Sequence, residues 1–115
     1  MTEEFVHTLF DVIDSRDWAR LADVFHPEAT YERPGYAPFV GLERLDRFYQ
    51  QERVIASGKH HLDIVTMSDT HGSCCGRFVG VHRDGSPIDE RFADFYTLED
   101  GRIRHRTSFF FRAAV

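Results

Sequence analysis

The feature that most constrains this chain is a change of period halfway along it. Up to about residue 58 the apolar residues recur at helical spacing. Beyond it they alternate, in four long stretches at 59–68, 73–83, 87–98 and 102–112. The connections are Ser68-Asp69, Arg83-Asp84-Gly85-Ser86 and Glu99-Asp100-Gly101, and the Asp-Gly pairs are strong hairpin signals. Four such strands in succession form an antiparallel meander. Its apolar face must be covered, and the helical first half is what can cover it.

In that first half, Phe5, Val6, Leu9, Val12 and Ile13 mark one face of a helix over residues 3–14. Ser15-Arg16-Asp17 interrupts it, with Asp17 placed to cap a short helix through Trp18, Leu21 and Ala22. Phe25 to Glu28 reads as a turn into a short strand, Ala29 to Arg33, and Pro34 to Pro38 as a loop. Leu42, Leu45, Phe48, Tyr49 and Glu52 predict a third helix over 41–56, ended by Ser57-Gly58. The expected fold is α+β, one domain over 1–115: three N-terminal helices packed on a curved, mostly antiparallel sheet that forms a cone, a cystatin-like α+β barrel. Such a cone has an open mouth suited to a small hydrophobic molecule.

Composition narrows the partners. A net charge of −5 argues against nucleic acid and against an anionic membrane surface. No run approaches the ~18 apolar residues of a membrane span, and the acidic start is unlike a signal peptide, so a cytoplasmic location is expected. Cys74 and Cys75 are adjacent in a strand and point apart, which makes neither a disulfide nor a zinc framework. His60 and His61 diverge likewise, so no metal and no cofactor is expected.

The chemistry concentrates in Arg91-Phe92-Ala93-Asp94-Phe95-Tyr96. Strand alternation puts Glu90, Phe92, Asp94 and Tyr96 on one face, and a carboxyl in an aromatic wall is a candidate acid or base. Desolvation would make Asp94 a proton donor; a nearby cation would make it a base. Of His60 and His61 only one can enter a pocket, as a second proton carrier. Tyr31, Tyr36 and Tyr49 are phenols able to bond a ligand carbonyl, and Glu32 with Arg33 lies at the mouth, able to pair at its rim. His7, His26, His71, His82 and His105 read as surface or edge residues.

Several segments in order carry a resemblance: Ser15-Arg16-Asp17-Trp18, Phe25-His26-Pro27-Glu28-Ala29-Thr30-Tyr31, Val40-Gly41-Leu42-Glu43, Phe48-Tyr49, Phe92-Ala93-Asp94-Phe95 and Asp100-Gly101-Arg102-Ile103. Together they resemble the nuclear transport factor 2-like superfamily, in its ketosteroid isomerase-like and SnoaL-like polyketide cyclase branch. In ketosteroid isomerase an Asp base works beside an oxyanion hole of one Tyr and one protonated Asp. The resemblance carries that protonated Asp onto Asp94. It sets the base position at or beside Arg33, which cannot accept a proton, and the Tyr position near Leu9, which has no donor. Steroid isomerisation itself is therefore not expected. In limonene epoxide hydrolase, on the same fold, the water-activating Asp would fall near Ser108, leaving Glu90 as the available second acid.

The resemblance also implies a register, with Cys75, Arg77, Val79 and Val81 inward from one strand and Arg106, Ser108 and Phe110 from another. The opposite face of the last strand (Ile103, His105, Thr107, Phe109) is nearly as apolar, and a one-residue slip reverses every assignment. It favours His61 over His60. The resulting expectation is a cofactor-independent acid/base enzyme (isomerase, dehydratase or cyclase) acting on a polyketide, steroid or terpenoid. Asp94 and His61 would move protons, Arg77 or Tyr49 would stabilise an enolate, and Tyr31, Arg33, Cys75, Val79, Glu90, Phe92, Arg106, Ser108 and Phe110 would contact substrate. The alternative role for Arg77 is that of a structural partner of Asp94 or Glu90. Asp94→Asn is then expected to abolish turnover without unfolding the chain. The alternatives are a non-catalytic ligand-binding or dimerisation module and an epoxide hydrolase. The other sheet face (Arg91, Ala93, Phe95, Phe109, Phe111) predicts a homodimer.

Overall fold

The computed structural model describes residues 3–112. Helix α1 (Glu3–Asp14) buries Val6, Leu9, Phe10, Val12 and Ile13, and Glu3 and Glu4 in its first turn complement the helix dipole. Arg16 adopts a left-handed φ of 59° and closes the helix, with Arg16 N–H donating to Ile13 O and Asp17 N–H to Val12 O. Asp17 precedes a 3₁₀ turn (Trp18–Arg20), but its side chain makes no capping hydrogen bond. Helix α2 (Leu21–Val24) follows.

Strand β1 (Phe25–Glu32) begins where the sequence predicts a turn. It pairs parallel with β6 (Arg102–Phe110) through Phe25↔Ile103 and again from Thr30↔His105, with an irregularity between. Pro27 lies in that break, where no ladder donor is required. A two-residue strand β2 (Phe39–Val40), absent from the sequence reading, pairs with β1. Helix α3 (Leu42–Arg47) gives way at Phe48 to a π turn (Phe48–Glu52). The chain is already extended at Ile55, which pairs with His82, so the predicted helix to residue 56 is too long.

Strands β3 (Ile55–Met67), β4 (His71–His82), β5 (Pro87–Glu99) and β6 form the expected meander. The six strands run β2-β1-β6-β5-β4-β3 in one mixed sheet, not closed, with the helices against its concave face: an α+β cone. Strictly alternating burial along β5 turns Ile88, Glu90, Phe92, Asp94, Tyr96 and Leu98 inward, so the face that the sequence gives to Glu90, Phe92, Asp94 and Tyr96 is the buried one. No helix among the described residues is long and apolar enough to cross a membrane.

Two local irregularities fix the remaining faces. The β4–β5 turn closes on three residues, Arg83-Asp84-Gly85, with Gly85 at φ 90° and His82 N–H donating to Ser86 O. Ser86 thus belongs to the ladder, and Cys74, not Cys75, stands opposite Asp94. Counting Ser86 as part of the turn flips the whole strand. In β6, the register shifts between Thr97↔His105 and Leu98↔Ile103, so Arg104 is a bulged residue. The bulge lets Ile103 and Arg106 both face inward, which explains why both faces of this strand look apolar in sequence.

Candidate functional site

The concave face of the sheet and the α1 and π-turn residues enclose a hollow with Asp94 in its wall. Asp94 is 0% exposed and pairs with Arg106, itself 3% exposed. Its Oδ2 accepts from Arg106 Nε (3.0 Å) and Nη2 (2.9 Å) and from Tyr96 O–H (2.9 Å), and its Oδ1 from Ser108 O–H (2.5 Å). Burial alone would lower the Arg106 pKa. The charge of Asp94, backed by Tyr31, Tyr49 and Tyr96, reverses this and holds it well above its usual value.

Because a paired carboxylate only accepts, it sets the direction of every hydrogen bond around it. Ser108 spends its proton on Asp94, so the Ser108 oxygen accepts from Tyr31 O–H (2.8 Å). Tyr96 spends its proton likewise, so the Cys74 thiol donates to Tyr96 (3.3 Å). Burial, then Asp94, pushes that thiol up to about 12, far from a reactive thiolate. Arg106 Nη1 donates to the Tyr49 oxygen (2.8 Å). Tyr49 keeps its own proton: burial raises its pKa, and no described residue accepts from it.

Across the hollow lies a dyad that the sequence reading missed. His60 Nδ1 donates to Asp14 Oδ1 (2.6 Å), while the His60 backbone N–H holds Asp14 Oδ2 (2.8 Å). Since the carboxylate requires the proton on Nδ1, the neutral ring carries its lone pair on Nε2, where no described residue bonds it. The ring stacks on Phe10 at 4.2 Å and meets Phe78 and Phe92. Burial pulls the imidazole below its ordinary value of 6.5, and the hydrogen bond and charge of Asp14 offset only part of this.

Of the sequence candidates, Tyr31, Arg33, Tyr49, Glu90, Phe92, Asp94, Arg106, Ser108 and Phe110 line the hollow. Tyr36, His61, Cys75, Arg77, Val79 and Val81 do not. His61 is exposed because its neighbour His60 pairs with inward-facing Phe78 in the β3–β4 ladder. Arg77 points to the other face, where it forks onto Asp89. Cys75 and Val79 follow it outward, Cys75 into an open cleft beside Arg91 and Phe109. Glu32 bonds His105 at 2.6 Å rather than forming a rim pair with Arg33. Arg33 instead is buried, its guanidinium 5.3–5.9 Å from the rings of Tyr31, Tyr36, Phe48 and Phe110. Arg53, also missed, enters behind the π turn and lies over Tyr49 and Phe78.

The cone is narrower than expected. The hollow has a cavity volume of about 20 Å³, room for about one water, and its wall includes Arg33, Arg53, Arg106, Phe78, Phe92 and Phe110. Away from it, His26, Glu99 and Asp100 bring ligand atoms within 4.8 Å of one another. An acidic surface group of that kind is not by itself a metal centre.

The profile of the SnoaL-like domain family matches residues 6–106. No curated protein sequence matches the chain. Among solved structures, an NTF2-like protein of unknown function from Burkholderia pseudomallei superimposes with a TM-score of 0.85 at 16% identity, covering 96% of this chain and 92% of that one. A Jannaschia sp. protein described as a SnoaL-like polyketide cyclase gives 0.79 at 18%, covering 94% and 83%. An LEH-like epoxide hydrolase of M. tuberculosis gives 0.79 at 11%, covering 93% and 80%. At these identities the likeness is one of fold.

Proposed function

The chain belongs to the SnoaL-like domain family, and from that premise we propose that it is a cofactor-independent enzyme moving a proton on a small oxygenated, largely hydrophobic substrate. Isomerisation, dehydration and aldol-type cyclisation are the reaction types it suits. One observation carries this reading: the bonds around Asp94 and Asp14 leave the His60 Nε2 lone pair and the Tyr49 proton uncommitted among the described residues lining the same hollow. They are an acceptor and a donor. His60 takes a proton beside a carbonyl, and Tyr49, with its oxygen polarised by Arg106, donates to the enolate oxygen that develops. Asp14 positions the ring, and Asp94 positions Arg106. With room for about one water at present, the hollow has to widen to admit such a substrate, and that widening is part of the proposal.

Epoxide hydrolysis is less well supported. It needs two carboxylates around one water, and the oxygens of Asp94 are taken by Ser108, Tyr96 and Arg106, while Glu90 bonds Arg112 at 3.2 Å.

The direct test follows hydrogen–deuterium exchange by NMR beside the carbonyl of a panel of polyketide-like ketones in deuterium oxide. Enzyme-dependent exchange is the expected result; saturable binding of the same ketones without exchange would favour a non-catalytic binding module. Protonation of His60 removes the base, so kcat/KM falls toward low pH. Because burial sets its pKa below 6.5, that acid limb is expected to lie below 6.5 as well. The unfolded chain binds a proton there that the native ring does not, so stability also drops as pH falls through this window. An acid limb above 6.5 would assign the limb to another group.

The outer face of the sheet leaves Phe95 and Phe109 each 53% exposed and Phe111 74% exposed, beside Ile64 and Val79. This is more apolar surface than a lone protomer ordinarily keeps in water, and a second copy of the chain is the proposed cover. Sedimentation is expected to give a dimer at micromolar concentration; a monomer there would overturn it.

A further inference from the structure

We infer that the hollow is built to hold the anionic end of its ligand, a carboxylate or a comparable planar oxyanion, on Arg53. This residue is 5% exposed, and its Nε is buried without a hydrogen-bond partner among the described residues. What surrounds its guanidinium is aromatic: the Tyr49 ring at 5.5 Å and the Phe78 ring at 5.9 Å. The two carboxylates in the same wall are engaged elsewhere, Asp94 by Arg106 and Glu90 by Arg112. Removing a guanidinium from water and leaving a donor unpaired is unfavourable, and an anionic ligand would supply the missing acceptor. Burial lowers the Arg53 pKa to about 10, with Arg33 and Arg106 adding repulsion, yet the group stays charged at neutral pH. That repulsion is itself relieved by an incoming anion.

Arginine, unlike lysine, offers a planar fork that matches the two oxygens of a carboxylate. The rings of Tyr49 and Phe78 stack beside it and exclude water, so the interaction forms in a low-dielectric wall. Tyr49 is shared between this fork and the uncommitted proton described above, so an acid bound on Arg53 lies against the proton-transfer groups. That the acid is the substrate rests on the proton-transfer reading. The anion site does not.

The test is an NMR titration with formate and acetate, the smallest carboxylates, against formamide and acetamide, their neutral counterparts, at constant ionic strength. Wild type is expected to bind the carboxylates at least tenfold more tightly than the amides, with shifts at Arg53, Tyr49 and Phe78. Arg53→Gln is expected to lose that preference, and Arg53→Lys to recover part of it. Equal binding of acid and amide by the wild type would overturn the inference. So would carboxylate binding by a folded Arg53→Gln variant at wild-type strength. If that variant does not fold, the wild-type comparison decides alone. His60→Asn keeps Arg53, so it is expected to bind the carboxylates as wild type does. Turnover by His60→Asn at the wild-type rate would remove the proton-transfer reading while the anion site stood.

Discussion

His60→Asn is expected to lower turnover of any accepted ketone by about 10²–10⁴-fold, the range that a positioned base contributes. The substitution is chosen for what it preserves. The asparagine amide can occupy the place of the ring Nδ1–H and still donate to Asp14, so the link between α1 and β3 survives while the base at Nε2 is removed. Circular dichroism should therefore report a folded protein, and exchange at the substrate carbon should be lost. Asp14→Asn tests the positioning role separately. Without the carboxylate the imidazole loses the charge that partly counters its burial, so the acid limb of kcat/KM moves to still lower pH. His60→Asn with wild-type turnover would end the assignment of this histidine as the base.

Asp94→Asn is expected to act on a different quantity. Arg106 would be left as a charge in the core without its counterion, and removing one member of a buried pair costs about 3–5 kcal/mol. For a domain of this size that is a large share of the total stability. Urea denaturation measures it: the midpoint should fall while the slope stays near the wild-type value. Replacing both partners with apolar residues, Asp94→Leu with Arg106→Met, should recover much of the loss, since no lone charge is then buried. An unchanged midpoint in Asp94→Asn would show that the pair does not hold the core. The sequence alone suggests the opposite emphasis, a residue lost for turnover but not for folding. The difference arises because Asp94 Oδ2 is committed to Arg106 and Tyr96 and its Oδ1 to Ser108, which ties the carboxylate first to the core.

Much of this architecture was legible in the sequence. The apolar stripe of residues 3–14, the change to period two after residue 58 and the Asp-Gly turns dictate three helical segments followed by a meander, because each depends only on neighbours along the chain. The composition of the two faces of β5 was legible for the same reason: Phe92, Asp94 and Tyr96 alternate with Arg91 and Phe95. That this face is the one lining the hollow came from the family resemblance and the tertiary structure, not from alternation alone.

What the sequence could not supply was parity between strands. One residue, Ser86, decides whether Cys74 or Cys75 faces Asp94, and through the next ladder whether His60 or His61 enters the hollow. A three-residue turn and a four-residue turn have nearly the same composition, yet they send alternate side chains to opposite faces. The Asp14–His60 bond spans 46 residues and the Asp94–Arg106 pair is completed by Tyr49 from another layer, so neither has a local signature. Local pattern specified the elements and one chemical face. Packing the helical layer onto the sheet decided which donors and acceptors were consumed and which were left for a ligand, because that depends on distances across the core rather than on spacing along the chain.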